Sequence, residues 1–158
     1  MKKIILTIVI LILLLPSAAF AKGPSELEVQ ETTAVVLSTF GLIFMTSMFG
    51  ETPEGAELRM EDISAGATIV FDSFDIKSYY IMLADSEGAA AMDELPPVSF
   101  SRMSGTISVN EDGDMNMDVV LKGGNIKTLT LRTSGEDLAE LTVNGQDYSY
   151  LDEIFDED

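Results

Sequence analysis

The clearest pattern of hydrophobic and polar positions lies in the C-terminal half of the chain, where apolar and polar residues alternate in four successive runs. Alternation with a period of two predicts β-strands with one buried face. Short segments with Gly or Asn separate the runs, at 111–113, 123–125 and 134–136, and each suits a three-residue hairpin loop. The pattern therefore predicts a four-stranded antiparallel meander. Its inward positions are Met103, Ile107, Val109, Met115, Met117, Val119, Leu129, Leu131, Ala139, Leu141 and Val143.

The lengths of these three loops also predict which residues of neighbouring strands face each other. Three-residue loops place apolar residues opposite apolar residues across all four strands, whereas the reverse face is largely hydroxylated and charged. This is the pattern of an antiparallel sheet with one wet side. The predicted pairs are Val109 with Met115, Ile107 with Met117, Val119 with Leu129, Met117 with Leu131, Asp118 with Thr130, Asn116 with Arg132, Leu131 with Ala139, and Leu129 with Leu141.

A long uncharged stretch, from Thr32 to Gly50, precedes the strands. Ser25 and Glu28 form an S-x-x-E capping box just before it, and its alternation is poor, so it predicts a helix from about 26 to 49. One side of this helix collects Ala34, Leu37, Phe44, Met45, Met48 and Phe49. The opposite side collects Thr32, Thr39, Thr46 and Ser47, interrupted by Val36, Phe40 and Ile43.

Three interpretations of this helix remain open. It can be a core helix that covers the apolar face of the sheet, because such a face needs a cover. It can present a surface that binds lipid, a peptide or a partner helix, or it can be a second membrane segment. In the second case the candidate face for an apolar ligand or partner consists of Leu37, Phe44, Met45, Met48 and Phe49.

The remaining segments complete an α+β prediction. Two strands are expected at 57–63 and 67–74, the stretch 77–84 suits a helix or a strand, and 85–97 is typical of a flexible connection. A short helix is expected at 148–155, packing Tyr148, Leu151 and Phe155 on the sheet, before an acidic tail at 156–158. The predicted fold is one domain, 22–158, with an N-terminal helix on an antiparallel meander of about six strands that can curl into a half-barrel.

The first 21 residues have the three parts of a secretory signal peptide. Lys2 and Lys3 precede an apolar run, 4–15, and Ala19 and Ala21 stand three and one residues before the expected cleavage point. As a helix the run is only about 18 Å long, whereas the hydrocarbon core of a membrane is about 30 Å thick. We therefore expect cleavage after Ala21, a bacterial type of export, and a periplasmic or extracellular protein that meets the membrane only through this peptide.

Composition excludes several kinds of chemistry. The chain has no Cys, His or Trp, and 27 Asp and Glu against 9 Lys and Arg give a formal net charge of -18. Without His or Cys there is no Ser-His-Asp or Cys-His system, no thiolate or imidazole zinc site and no disulfide. Nucleic acid is not expected as a partner, because its phosphates repel carboxylates. Loss of Lys2 and Lys3 with the signal peptide makes the mature protein more acidic still.

The acidic residues suggest two candidate chemistries, and neither is specific. The 110–114 segment offers oxygen ligands for calcium but lacks the spacing and closing Glu of an EF-hand, so an acidic hairpin tip explains it equally well. Paired carboxylates can hydrolyse glycosides, yet with 27 acidic residues close pairs arise by chance. No catalytic residue, metal ligand or cofactor site is therefore predicted.

These observations favour an exported, non-enzymatic envelope or secreted protein that binds an apolar ligand or a protein partner between helix and sheet. One alternative is a structural or assembly protein of the cell envelope whose sheet edges pair with partners. The other is a carboxylate-based hydrolase of envelope polymers. The first hypothesis depends on whether Leu37, Phe44, Met45 and Met48 are left partly uncovered by the fold.

Overall fold

The computed structural model describes residues 23–85 and 98–151, which adopt an α+β fold. The predicted signal peptide, most of the 85–97 connection and the acidic tail lie outside the described residues. The helices are α1, Glu26–Met48, and α2, Ile76–Ala84. The strands are β1, Ala56–Arg59; β2, Gly66–Asp75; β3, Arg102–Asn110; β4, Met115–Lys122; β5, Thr128–Ser134; β6, Asp137–Val143; and β7, Gln146–Asp147.

All seven strands form one antiparallel sheet in which sequence neighbours are also spatial neighbours, from β1 to β7. The prediction of about six strands was one short, because the turn at Asn144 and Gly145 returns the chain into the two-residue strand β7. β1 and β7 do not pair with each other, so the sheet is open and does not close into a barrel.

The first two predicted registers are confirmed and the third is wrong. Val109 faces Met115 and Val119 faces Leu129, as expected. Leu131, however, faces Leu141 and not Ala139. A bulge between Arg132 and Thr133 adds one residue to β6, and a shorter turn brings Ser134 opposite Asp137. The observed register therefore differs from the predicted one by two residues. Leu131 and Leu141 remain on the buried face, whereas Ala139 is exposed.

Between the helix and the meander, the structure settles the segments that the sequence left open. β1 ends at Arg59, earlier than predicted, because Asp62 accepts a hydrogen bond from the Ser64 amide (3.1 Å) and caps a short 3-10 turn. The stretch at 77–84 is helical, and Asp75 caps it by accepting a hydrogen bond from the Ser78 amide (3.0 Å). β2 therefore runs directly into α2.

Helix α1 covers the sheet with the side that the sequence assigned to the polar face. Its buried residues are Val29, Thr32, Thr33, Val35, Val36, Thr39 and Ile43. Leu37, Phe44, Met45, Met48 and Phe49, the candidate face for an apolar ligand or partner, lie on the outer side or only partly buried at its margin. Two factors favour this orientation. Val and Thr are short and branched, and Thr39 satisfies its hydroxyl by donating to the Val35 carbonyl (2.7 Å).

The two ends of the described domain meet at the start of α1. Ser25 caps the helix by accepting a hydrogen bond from the Glu28 amide (3.2 Å), but the Glu28 carboxylate accepts from Asn125 (2.9 Å) and does not complete a capping box. The Tyr148 hydroxyl donates to the Pro24 carbonyl (2.7 Å). Tyr148 and Leu151 are buried as expected, although 148–151 form a turn and not a helix. The rest of the predicted helix, with Phe155, lies outside the described residues.

By length and composition alone, α1 is long and apolar enough to cross a membrane. Its buried positions extend from Val29 to Ile43 and pack into the same core as the sheet. This packing is that of a core helix, the first of the three interpretations of this segment.

Candidate functional site

The outer side of α1 exposes large apolar side chains near its C-terminal end. Phe49 is 84% exposed, Met45 57% and Met48 41%, while Leu37 and Phe44 are partly buried against the core. We call these five residues the outer helix face. No charged residue lies between Glu31 and Glu51, so this face is uncharged as well as apolar. Exposed apolar surface of this kind often marks a binding site.

Helix α2 carries two further exposed apolar side chains, Ile81 and Met82. A hydrogen bond in the core joins it to α1, where the Tyr80 hydroxyl lies 3.0 Å from Thr39 Oγ1. Because Thr39 donates its own hydrogen to Val35, Tyr80 is the donor in this bond. Burial raises the pKa of Tyr80 above its ordinary value, so the hydroxyl stays protonated and keeps this role.

A cleft of about 1150 Å³ lies where the C-terminal end of α1, the loop that follows it, the end of β2 and helix α2 come together. It is partly open to solvent. Its apolar wall consists of Phe74, Tyr79, Met82 and Leu83. The acidic residues that line it are Glu51, Glu54, Asp72 and Asp75, and the only cationic residue among the described lining residues is Arg102.

The acidic rim of the cleft is held in place by an irregularity in β2. The pairing of β2 with β3 breaks between Phe71 and Phe74, and Ser73 takes a positive φ of 49°. The Asp72 amide donates to the Gly55 carbonyl (2.9 Å), which fixes the loop after α1 against this bulge. Gly55 has a φ of 84°, and a Cβ there would lie 3.1 Å from the Asp72 carbonyl oxygen, so the position suits glycine.

Arg102 is occupied by its neighbours and does not neutralise the whole rim. Its guanidinium donates to the Ser73 carbonyl (2.9 Å) and lies 3.7 Å from Asp75. The pKa of Asp75 is lowered mainly by the Ser78 amide and hydroxyl, with a smaller effect of Arg102. Asp75 is therefore ionised at neutral pH and serves as the helix cap, while Glu51, Glu54 and Asp72 are exposed carboxylates that form no ion pair with Arg102 or another described residue.

Tyr79 is the most unusual side chain of the cleft wall. It is only 5% exposed and packs edge to face against Phe74, with ring centroids 5.3 Å apart. Burial raises its pKa, and the nearby Thr46 hydroxyl partly opposes this shift. The Tyr79 hydroxyl nevertheless makes no hydrogen bond of normal geometry to any described residue.

Within the 110–114 segment considered for calcium, the Asp114 carboxylate has structural partners. The Asp114 carboxylate, at the 110–114 hairpin tip, accepts hydrogen bonds from the Gly135 backbone amide (2.7 Å) and the Asn110 side-chain amide (3.1 Å). Within residues 23–85 and 98–151, no three acidic side chains converge as a metal site would require. Among the described residues, each carboxyl with a shifted pKa is shifted downward, whereas a general acid needs a raised pKa. These carboxyls are Glu57, Asp75, Asp114 and Asp147.

The structure brings only part of the predicted face together with the cleft. Met45, Met48 and Phe49 end α1 just before the loop that forms the cleft rim, whereas Leu37 lies nearer the middle of the helix. Ala19 and Ala21 fall outside the described residues. Tyr79, Met82 and the acidic rim were missed by sequence reasoning, because 77–84 suited a strand as well as a helix. A signal was present in Asp75, which is a favourable cap for a helix that starts at Ile76.

Searches of protein-family models, curated proteins and solved structures returned no match to this chain.

Proposed function

We propose that this is an exported, non-enzymatic protein of the cell envelope or the extracellular space that binds an apolar ligand or a protein partner through the outer helix face. The observation that carries the proposal is the orientation of α1. The side that packs on the sheet is the Thr and Val side, which leaves Met45, Met48 and Phe49 exposed.

The composition of this surface suits binding. Met is flexible and polarisable and adapts to partners of different shape, and aromatic residues are enriched in interface cores. Export is supported by the basic, apolar and small-residue pattern of the first 21 residues. The excess of acidic residues keeps the protein soluble and repels anionic surfaces.

Neither alternative has an observation that favours it over binding. The outer strands β1 and β7 are short, and β1 carries the exposed charged residues Glu57 and Arg59, a pattern that discourages edge-to-edge assembly. A hydrolase with two carboxylates needs one of them protonated at neutral pH, and the lowered pKa values of Asp75 and Asp114 have the opposite sign.

The proposal is tested by the binding of an uncharged apolar dye, Nile red, to the purified folded protein. We expect an increase in dye fluorescence that is lost, or reduced at least threefold, in the double variant Met48→Ser with Phe49→Ser. The matched control is Val120→Ser, which removes an exposed apolar side chain from the sheet, remote in sequence from α1. Equal dye binding by the double variant would overturn the proposal.

Native mass spectrometry of the protein purified from its own envelope or culture fraction provides the second measurement. We expect a chain that begins at Lys22 and carries a retained apolar molecule or protein. The double variant Met48→Ser with Phe49→Ser should lose that molecule. A chain that still begins at Met1 and remains in the cytoplasm would contradict export.

A further inference from the structure

We infer that Met45 and Met48 of the outer helix face are oxidation sites, and that their conversion to methionine sulfoxide by a peroxide weakens binding at this face. The effect on binding rests on the proposed function, because it regulates the same surface. The modification itself does not depend on what the face binds, since it follows from the access of an oxidant to two sulfur atoms.

The methionines of the described chain differ sharply in their access to solvent. Met45 is 57% exposed and Met48 41%, whereas Met103 of β3 and Met117 of β4 are completely buried. A dissolved oxidant must reach the sulfur atom, so a buried methionine reacts only when the structure around it opens. We therefore expect oxidation on the surface of α1 long before any oxidation in the core.

The reaction needs only a thioether and a peroxide. The sulfur lone pair attacks one oxygen of hydrogen peroxide, the O–O bond breaks, and an S–O bond forms. The proton of the transferred oxygen passes to the departing oxygen, which leaves as water. The sulfur is thus oxidised by two electrons and the peroxide is reduced by two. Since the chain contains no cysteine, no thiol competes for the oxidant.

Oxidation changes the chemical character of the outer helix face. Each sulfoxide places a polar S–O group, which accepts hydrogen bonds, where an apolar thioether lay before. No charged residue lies between Glu31 and Glu51 to pair with these oxygens. An apolar ligand or partner that covers the face must then remove water from two polar groups without replacing their hydrogen bonds, which opposes binding.

The burial of the other methionines keeps the fold intact during this change. Met103 and Met117 belong to the same hydrophobic core as the sheet and the inner side of α1. A sulfoxide at either position would place a polar group in that core and destabilise it. Because these two sulfurs are shielded, a protein oxidised at Met45 and Met48 stays folded. Methionine sulfoxide reductases can then restore the original surface.

The first measurement maps the oxidation of the purified folded protein. The protein is treated with hydrogen peroxide, the peroxide is removed with catalase, and peptides are analysed by mass spectrometry at several times. We expect Met45 and Met48 to react at least about tenfold faster than Met103 and Met117, with an unchanged circular dichroism spectrum. Met82 of α2, which is 56% exposed, is the internal reference. Oxidation of Met103 and Met117 at the same rate as Met45 and Met48 would overturn the assignment.

The second measurement compares Nile red binding before and after oxidation. In the parent protein we expect the dye fluorescence to fall at least about threefold and to return after treatment with methionine sulfoxide reductases. Met45→Leu with Met48→Leu keeps the apolar volume but removes both sulfurs, so it should bind the dye equally before and after peroxide. The matched control, Met60→Leu with Met115→Leu, exchanges two half-buried methionines outside α1 and should respond like the parent.

The possible results separate this regulation from the proposed function. Unchanged dye binding in a parent protein oxidised at Met45 and Met48 would overturn the regulation and leave the proposed function standing. An equal loss of dye binding in Met45→Leu with Met48→Leu would also overturn it, because the loss would then arise elsewhere. A parent protein that binds no dye before oxidation would overturn the proposed function and, with it, the regulation.

Discussion

At the scale of single residues, the buried threonines of α1 decide which side of the helix faces the sheet. Thr32, Thr33 and Thr39 are at most 2% exposed. A hydroxyl in a core is tolerated when it has a partner, and Thr39 has two, the Val35 carbonyl and the Tyr80 hydroxyl. Thr33 is different, because its Oγ1 makes no hydrogen bond to any described residue. The two positions therefore predict opposite responses to the same substitution.

Thr39→Val should lower the free energy of unfolding by about 1–3 kcal/mol, because it leaves the buried Tyr80 hydroxyl without its main partner. Thr33→Val, which removes a hydroxyl with no partner and keeps the side-chain shape, should be neutral or stabilising. Urea unfolding followed by circular dichroism measures both values. Equal destabilisation by the two variants would show that the hydroxyl of Thr39 contributes nothing specific.

At the scale of elements, a close approach of two strands lies beside the bulge in β2 that forms the cleft rim. Gly105 of β3 faces Phe71, the last regularly paired residue of β2 before the bulge. Its φ is 130°, and a Cβ at this position would lie 2.1 Å from the carbonyl oxygen of Asp118 on β4. Only glycine fits between the two neighbouring strands here. The close approach of β3 to β4 therefore lies directly beside the point where the pairing of β2 with β3 breaks and the cleft rim begins.

Gly105→Ala should therefore destabilise the protein by at least about 2 kcal/mol, because β3 and β4 must separate to admit the methyl group. Gly113→Ala is the matched control, since Gly113 also has a positive φ, 86°, but its Cβ would meet open space. The free energy of unfolding of the control should fall only by the strain of its backbone conformation, about 1–2 kcal/mol. A Gly105 variant as stable as the Gly113 variant would contradict the steric explanation.

At the scale of the whole molecule, the large negative charge determines how stability depends on pH. Most acidic residues repel one another, whereas Glu57, Asp75, Asp114 and Asp147 have a pKa lowered by hydrogen bonds in the folded state. A carboxyl with a lowered folded pKa adds stability above its unfolded pKa and loses that contribution as pH falls through the folded value. Asp114 is the best residue for a test, because it joins the 110–114 tip to Gly135 of the next hairpin.

Asp114→Asn should reduce the free energy of unfolding at pH 6 to 7, and the difference from the parent protein should disappear as the pH falls below about 3.8, the ordinary pKa of Asp. The matched control is Asp112→Asn, which removes one negative charge from the same hairpin tip. Urea unfolding at several pH values gives both curves. A difference from the parent that persists unchanged at the lowest pH would show that the ionised carboxylate is not responsible.

Much of this fold was predictable because its information is local. Alternating residues and glycine-containing loops in the C-terminal half predicted four strands and two of three registers. These registers are well determined because a shift of one residue between paired strands would place apolar side chains in water. The third register failed because a bulge, unlike a loop, has no distinctive residue type here. The α1 helix was also predictable, from Ser25 and the uncharged stretch that follows.

The sequence alone determined the helix, the meander, the acidity and the absence of His and Cys chemistry, because these follow from residue type and short-range spacing. Only the tertiary structure decided which side of α1 is buried, that 76–84 is a helix, and that Tyr79, Met82 and Asp72 line one cleft. The reason is physical. Whether a threonine prefers a core or a surface depends on partners such as Tyr80, which lies 41 residues away along the chain, and no local pattern contains that contact.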